Sequence, residues 1–277
     1  IKIKKDQFAH HFLNKMIGLF LGETDFPKLI INKLKKKKID YLIIDLTKRN
    51  IFKKDQNSHH ISIGQFGKIL TLLSLKKCKK VIFAGKIDKP QISRLKLDAK
   101  GIYYIPRIIK AAKKGDAAIL KELIKILHEN SIKIISSNFF NAELTLKKGI
   151  YSKLRPNRND LIYIKKGIKI LQNTNSYDHV QALIIGENIT VKEKKYGTQN
   201  LIRSIKKNKR QNGILIKFPK KKQDLRVDLP TIGINTCKDL KSKNLKGIVV
   251  KANKNIILDK NKCIKFINKN KMFLVAK

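Results

Sequence analysis

Short runs of consecutive apolar residues alternate with amphipathic stretches along most of the chain. Ile17–Leu21 is apolar throughout and stops at Gly22, which predicts a buried strand. A turn at Gly22–Pro27 and a helical pattern over Lys28–Lys38 follow, and Tyr41–Leu46 predicts a second buried strand. His60–Ile63 reads as short and extended, Gly67–Lys77 as helix, and Lys80–Gly85 as a strand ending in glycine. Helices are predicted over Ile105–Ala112 and Asp116–Asn130, with Asp116 able to cap the second, and a strand over Ile132–Ser136. Continuous apolar strands between amphipathic helices are the pattern of a parallel sheet covered on both faces.

Residues 138–158 interrupt this rhythm with asparagine, glycine and charge, and read as a connection between domains. Beyond it come a helix over Asn159–Gln172 and a hairpin of Val180–Ile185 with Glu187–Val191 around Gly186. A helix over Gln199–Lys207 and a strand over Gly213–Phe218 follow. The remainder reads as helix Thr236–Lys243, strands Gly247–Val250 and Asn255–Leu258, helix Cys263–Asn270 and strand Met272–Ala276. Residues 1–15 are polar and basic, and Met16 stands directly before the first strand as a candidate natural start. The expected organisation is therefore an extension outside the fold (1–15), an N-terminal domain (16–137) and a C-terminal α/β domain (138–277).

Composition sharpens the picture in three ways. Lys and Arg number 64 against 20 Asp and Glu, a formal charge of +44, which attracts polyanions: nucleic acid, anionic membrane or phosphorylated ligands. The excess is mostly lysine alongside many isoleucines and asparagines, so codon bias placing lysines on solvated faces accounts for the same numbers. Aromatic residues make up only 7% and no zinc-finger, helix-turn-helix, RNP or KH pattern occurs, so no specific nucleic-acid partner is expected. The three cysteines, Cys78, Cys237 and Cys263, stand singly, without metal-ligand spacing, and fit a reducing compartment. No apolar run approaches the ~20 residues that span a bilayer. A cytoplasmic protein is expected, at most lying against a membrane.

Familiar catalytic signatures are missing: the turn after the first strand, Gly22-Glu23-Thr24-Asp25-Phe26-Pro27, carries one glycine where a dinucleotide fingerprint needs three. The densest chemistry lies in Lys217–Gly233, where lysines, Arg226, two carboxylates, Gln223 and Thr231 sit between Pro219 and Pro230. Lys and Arg there can neutralise phosphoryl oxygens, and a carboxylate can hold Mg²⁺ or orient a water. Alternation of Asp224, Arg226 and Asp228 places all three on one face if the segment is a strand. An edge strand with a surface salt bridge satisfies the same pattern.

This segment resembles the hallmark of the LpxI family of UDP-2,3-diacylglucosamine pyrophosphatases, KxxKPxQDxRxDLPTIG. It is met here by Lys217, Lys220, Gln223-Asp224, Arg226 and Asp228–Gly233. Collinear matches at Gly64–Lys68, Phe83–Lys86, Lys89-Pro90, Lys114–Asp116, Thr145-Leu146 and Gly197-Thr198 extend the resemblance over residues 16–277. The resemblance implies two α/β domains. The first is Rossmann-like with a mainly parallel sheet, the second a smaller mixed-sheet α/β domain, and the lipid substrate lies between them. It further implies Mg²⁺-dependent attack of water on the phosphorus bearing uridine, giving UMP and 2,3-diacylglucosamine 1-phosphate for lipid A synthesis. Asp228 maps onto the family's essential acid, as metal ligand or water-orienting base. Lys217, Lys220, Gln223, Asp224, Arg226, Thr231, Gly22 and Lys68 become substrate-binding candidates, and Glu193 a second metal ligand.

The sequence departs from the family in places. The family's GGGxLP turn is Gly22-Glu23-Thr24 here, its EGTD is Tyr196–Gln199, and its Pro-Gly within the hallmark is Lys221-Lys222. The arginine usual before Pro90 is Lys89, which lacks the bidentate fork. These changes leave room for a diverged relative that binds a nucleotide-linked lipid or sugar without turning it over. The basic surface also suits peripheral contact with the anionic inner membrane.

Overall fold

The computed structural model describes residues 16–86, 96–173, 180–194, 196–207, 209–220 and 223–277. The expectations placed on residues 1–15, on Lys89-Pro90 and on Lys221-Lys222 fall outside these. The chain divides into two compact units. One runs to Asn141 and includes Arg226–Asp228; the other comprises Ala142–Leu225 and Leu229–Lys277.

The first unit is built on β1 (Ile17–Leu21), β2 (Tyr41–Asp45), β3 (Ser58–His60), β4 (Lys80–Ala84) and β5 (Lys133–Ile134). Their order is β3-β2-β1-β4-β5 and every pairing is parallel. This is the doubly wound Rossmann arrangement, whose direction of winding reverses between β1 and β4. Strands buried along their whole length, such as β1 and β2, account for the unbroken apolar runs. The intervening helices are α1 (Phe26–Lys36), α2 (Phe66–Leu75), α3 (Ala99–Ala112) and α4 (Asp116–Glu129). Leu42, Ile44, Ile69, Leu73, Val81, Ile126 and Leu127 lie in one core beneath them.

The start of α3 and the cap of α4 depart from expectation for identifiable reasons. Helix α3 begins six residues before Ile105, at Ala99, because Asp98 caps it by accepting from the Gly101 N–H; Pro106 is then internal. The cap position of α4 falls on Gly115, at φ 102°, and Asp116 is the first helical residue.

The second unit contains a six-stranded sheet in the order β6-β13-β11-β9-β7-β8. Its strands are β6 (Gly149–Ile150), β7 (Ala182–Gly186), β8 (Ile189–Lys192), β9 (Ile214–Lys217), β11 (Gly247–Val250) and β13 (Phe273–Ala276). The central β9, β11 and β13 run parallel, while β6, β7 and β8 are each antiparallel to their neighbour. The sheet is therefore mixed, as expected. A separate parallel pair joins β10 (Thr231–Ile232) to β12 (Ile256–Ile257). The helices are α5 (Arg158–Gln172), α6 (Gly197–Ser204), α7 (Ile234–Ser242) and α8 (Lys260–Lys269). Helix α5 opens with a reciprocal capping box between Asn157 and Asp160. Asp160 also accepts from Lys246 Nζ at 2.9 Å. Residues 138–158, expected as a bare connection, contribute two single-turn 3-10 segments and the edge strand β6. Among the described residues no helix is long and apolar enough to cross a membrane.

Candidate functional site

Ligands of open α/β sheets usually bind outside the carboxyl ends of the strands, at the reversal of winding. In the first unit the backbone pairing of β1 with β4 continues past the strand ends at that place. Gly22 N–H donates to Ala84 O at 2.9 Å, Glu23 N–H to Lys86 O at 2.7 Å, and Lys86 N–H back to Glu23 O at 3.0 Å. Gly85 permits the approach: its φ is +87°, and a Cβ there would stand 2.7 Å from Gly22 O. The amide of Gly22, a candidate phosphate donor, is thus engaged within the fold.

Asp45, at the end of β2, occupies the position where Rossmann folds often carry a ribose-binding acid. Here the side chain is fully buried. It accepts from Thr47 N and Oγ1 at 2.8 and 2.7 Å, and from Phe52 N at 3.0 Å. It fixes the loop after β2. An acid closing an apolar strand, with threonine two residues on, is the sequence signal that could have revealed this turn.

The amino end of α2 is likewise filled from within. Asp98 accepts from Gly67 N and Lys68 N, both at 2.9 Å, while also capping α3 through Gly101 N at 2.7 Å. Burial opposes ionisation of Asp98, but these three N–H groups and the nearby Lys68 charge outweigh it and hold the carboxyl below its ordinary range. The side chain of Lys68 is exposed.

Arg226–Asp228 belongs to this same unit. Leu225–Val227 is a turn, which corrects the strand expected from the alternation of Asp224, Arg226 and Asp228. Alternation defines a face only in a paired, extended chain. Here Pro230 offers no N–H to a ladder, and Val227 packs against the core of the first unit. Ser137 N–H donates to Arg226 O at 3.4 Å. Arg226 and Asp228, on either side of the anchored Val227, are both exposed. Ladder pairing begins only at β10.

The rest of the hallmark shapes the carboxyl edge of the second sheet. Lys217, the last residue of β9, is 7% exposed, and its Nζ donates to Thr231 O at 2.9 Å. Thr231 Oγ1 donates to Leu229 O at 3.0 Å. Gln223 Oε1 accepts from Lys220 N at 2.9 Å while Gln223 N donates to Lys220 O, so this side chain closes a turn. Asp224 is half-buried. Asn255, which sequence reasoning did not single out, is 1% exposed. It donates from Nδ2 to Lys217 O and accepts at Oδ1 from Lys251 N, both at 3.0 Å.

Glu193 follows β8 and is buried. One oxygen accepts from Gln181 N at 2.9 Å, the other from Thr198 Oγ1 at 2.7 Å. It thereby secures the first turn of α6, the part of the chain where the family's two other acids are absent. Among the described residues no three His, Cys, Asp or Glu side chains gather as a metal cage. A magnesium ion carried by one or two carboxylates and substrate phosphates requires no such cage. Asp228, which follows the turn, is exposed to such an ion. Glu193, buried with both oxygens engaged, is not.

A Rossmann-type unit and a mixed-sheet α/β unit, with a charged, proline-bounded hallmark segment, define a two-domain α/β protein. The chain belongs to the LpxI family: residues 16–144 match the LpxI N-terminal domain and residues 147–275 the LpxI C-terminal domain. It is similar to the UDP-2,3-diacylglucosamine pyrophosphatase LpxI of Caulobacter vibrioides, with 31% identity over 213 residues, 74% of this chain and 76% of that protein.

Proposed function

We propose that this protein hydrolyses the pyrophosphate bond of UDP-2,3-diacylglucosamine to UMP and 2,3-diacylglucosamine 1-phosphate, a step of lipid A synthesis. The observation that carries the reading is the hallmark turn. Val227 is anchored in the core, so its neighbours Arg226 and Asp228 are held exposed, in a chain matched by both halves of the family. In the reaction, water adds to the phosphorus bearing uridine and the bond to the bridging oxygen breaks. That oxygen departs with the glucosamine 1-phosphate. Asp228 orients the water and accepts its proton. Arg226 offers paired N–H donors to the phosphoryl oxygens, with Lys220 and Lys68 as further cations. Lys217, Gln223 and Thr231 act by holding the loop, given the bonds they make within it. Magnesium, carried by Asp228 and the substrate phosphates, would supply charge neutralisation at the phosphoryl oxygens.

The test is release of UMP from UDP-2,3-diacylglucosamine by the purified protein with Mg²⁺ or Mn²⁺. Asp228→Asn is expected to retain binding and lose about 100-fold or more in kcat. Absence of UMP release by the wild type would sink the reading and favour a relative that binds without turnover, which the engaged Glu193 and the altered Tyr196–Gln199 segment also suit. The acylated substrate places the work in the cytoplasm at the anionic inner membrane, where each nearby lysine contributes about 1 kcal/mol. Liposome flotation showing no preference for anionic over neutral lipid would remove that part of the proposal.

A further inference from the structure

The carboxyl edge of the second sheet carries a cation outside the hallmark. Strands β9 and β11 pair in parallel with Val250 opposite Lys217, so Lys251 begins the loop beside the end of β9. Its ammonium group lies 5.5 Å from the centroid of the Phe218 ring, and the side chain is half-buried. A cation over an aromatic face is held without being neutralised, which leaves its charge for an anion. Lys217 is placed differently. It is buried, and its Nζ donates to the carbonyl of Thr231. A pyrophosphate diester carries two negative charges, and of the two hallmark lysines at this edge Lys217 is already in use as a staple.

Asn255 ties the two lysines together. Its amide reaches the Lys217 carbonyl on one side and the Lys251 N–H on the other. The chain then enters β12, whose Ile256 N–H donates to Pro230 O at 2.9 Å. One buried side chain therefore sets the end of β9, the start of the Lys251 loop and the entry to the pair with β10. Asparagine suits the task because it presents a donor and an acceptor on a short, neutral group.

We infer that Lys251 is a further phosphate-binding side chain of this protein and that Asn255 is the residue that positions it. The inference rests on the pyrophosphatase reading for the identity of the anion. The experiment is therefore run twice: as steady-state kinetics with UDP-2,3-diacylglucosamine, and as calorimetric titration of the whole protein with inorganic pyrophosphate. Lys251→Gln is expected to raise KM and weaken pyrophosphate binding by about tenfold or more, with Lys251→Arg restoring most of it. Thermal unfolding should stay near that of the wild type, because the Lys251 side chain is only half-buried. Asn255→Ala should produce a similar KM increase. In that background Lys251→Gln should add little, since the lysine is already misplaced. Wild-type pyrophosphate affinity in Lys251→Gln overturns the inference, even if turnover upholds the pyrophosphatase reading. If the wild type fails to turn over, the titration still decides the case for Lys251, and a wild type that does not bind pyrophosphate counts against it. Full additivity of the two substitutions removes Asn255 from the role.

Discussion

Removing the Asp98 carboxylate should destabilise the first unit by about 2–3 kcal/mol. Asp98 caps two helices at once. Its oxygens receive Gly101 N–H at the start of α3, and Gly67 and Lys68 N–H at the start of α2. Gln65, at the cap position of α2, makes no side-chain cap of its own. Gly67 allows the approach, since a Cβ there would lie 2.9 Å from Asp98 Oδ2. At each of the two helices, losing the cap together with its negative charge costs about 1–1.5 kcal/mol. In a unit of this size such a loss lowers Tm by roughly 6–12 °C. Asp98→Asn keeps the shape but turns an N–H₂ toward the backbone donors, so it should cost at least as much as Asp98→Ala. The pH dependence follows from the lowered pKa of Asp98. Its stabilisation is present above the unfolded-state value near 4, roughly, and is lost as pH falls through the lower folded-state value. The gap between wild type and Asp98→Asn should therefore be full near neutrality and close in strong acid. Circular dichroism melts over pH measure it, and amide exchange at residues 66–68 and 99–101 localises it. A loss under about 0.5 kcal/mol, or a gap that does not change with pH, would refute the shared-cap account.

Asp45→Asn should cost about 2–4 kcal/mol in urea unfolding, because an amide cannot accept all three bonds now made to the buried carboxylate; a near-neutral result would show that the loop after β2 is held by other means. Burial pushes the Cys78 thiol up to about 11, and all three cysteines are buried. At about pH 8 the native protein should react with thiol reagents only after denaturant is added, and prompt labelling of Cys78 would contradict its placement.

Elements built from unbroken apolar runs were legible in the sequence because a strand covered on both faces leaves no room for polar residues. Strand β11 coincides with the expected Gly247–Val250 for this reason. Features that depend on a distant partner were not legible. The early start of α3 comes from Asp98, whose other two bonds are to residues of α2. In the hallmark, residue types pointed to Arg226 and Asp228, but the backbone did not. Val227 looks like one tooth of a strand, yet it is an anchor in the first unit's core. Asn255 reads as an ordinary turn residue among lysines. Only the parallel pairing of β9 with β11 gives it two backbone groups to join.

The charge of +44 suggests a fold stitched together by lysines, but several of its important acids bind backbone amides instead. Asp45, Asp98 and Glu193 each accept at least one backbone N–H, and Asp45 and Glu193 are completed by threonine hydroxyls. Backbone donors are already placed when the strands and helices form. A lysine would have to give up rotamer freedom and hydration to reach the same carboxylate. Ion pairs with a well-buried acid, such as Lys246 with Asp160, involve lysines that themselves keep contact with solvent. Lys217 carries the point further, since its buried ammonium also has a backbone partner, the carbonyl of Thr231. The architecture is therefore set by backbone-directed bonds that salt screens weakly, whereas attraction of the exposed lysines for anions is screened strongly. Raising ionic strength separates the two: the fold should persist under conditions in which association with an anionic surface is lost.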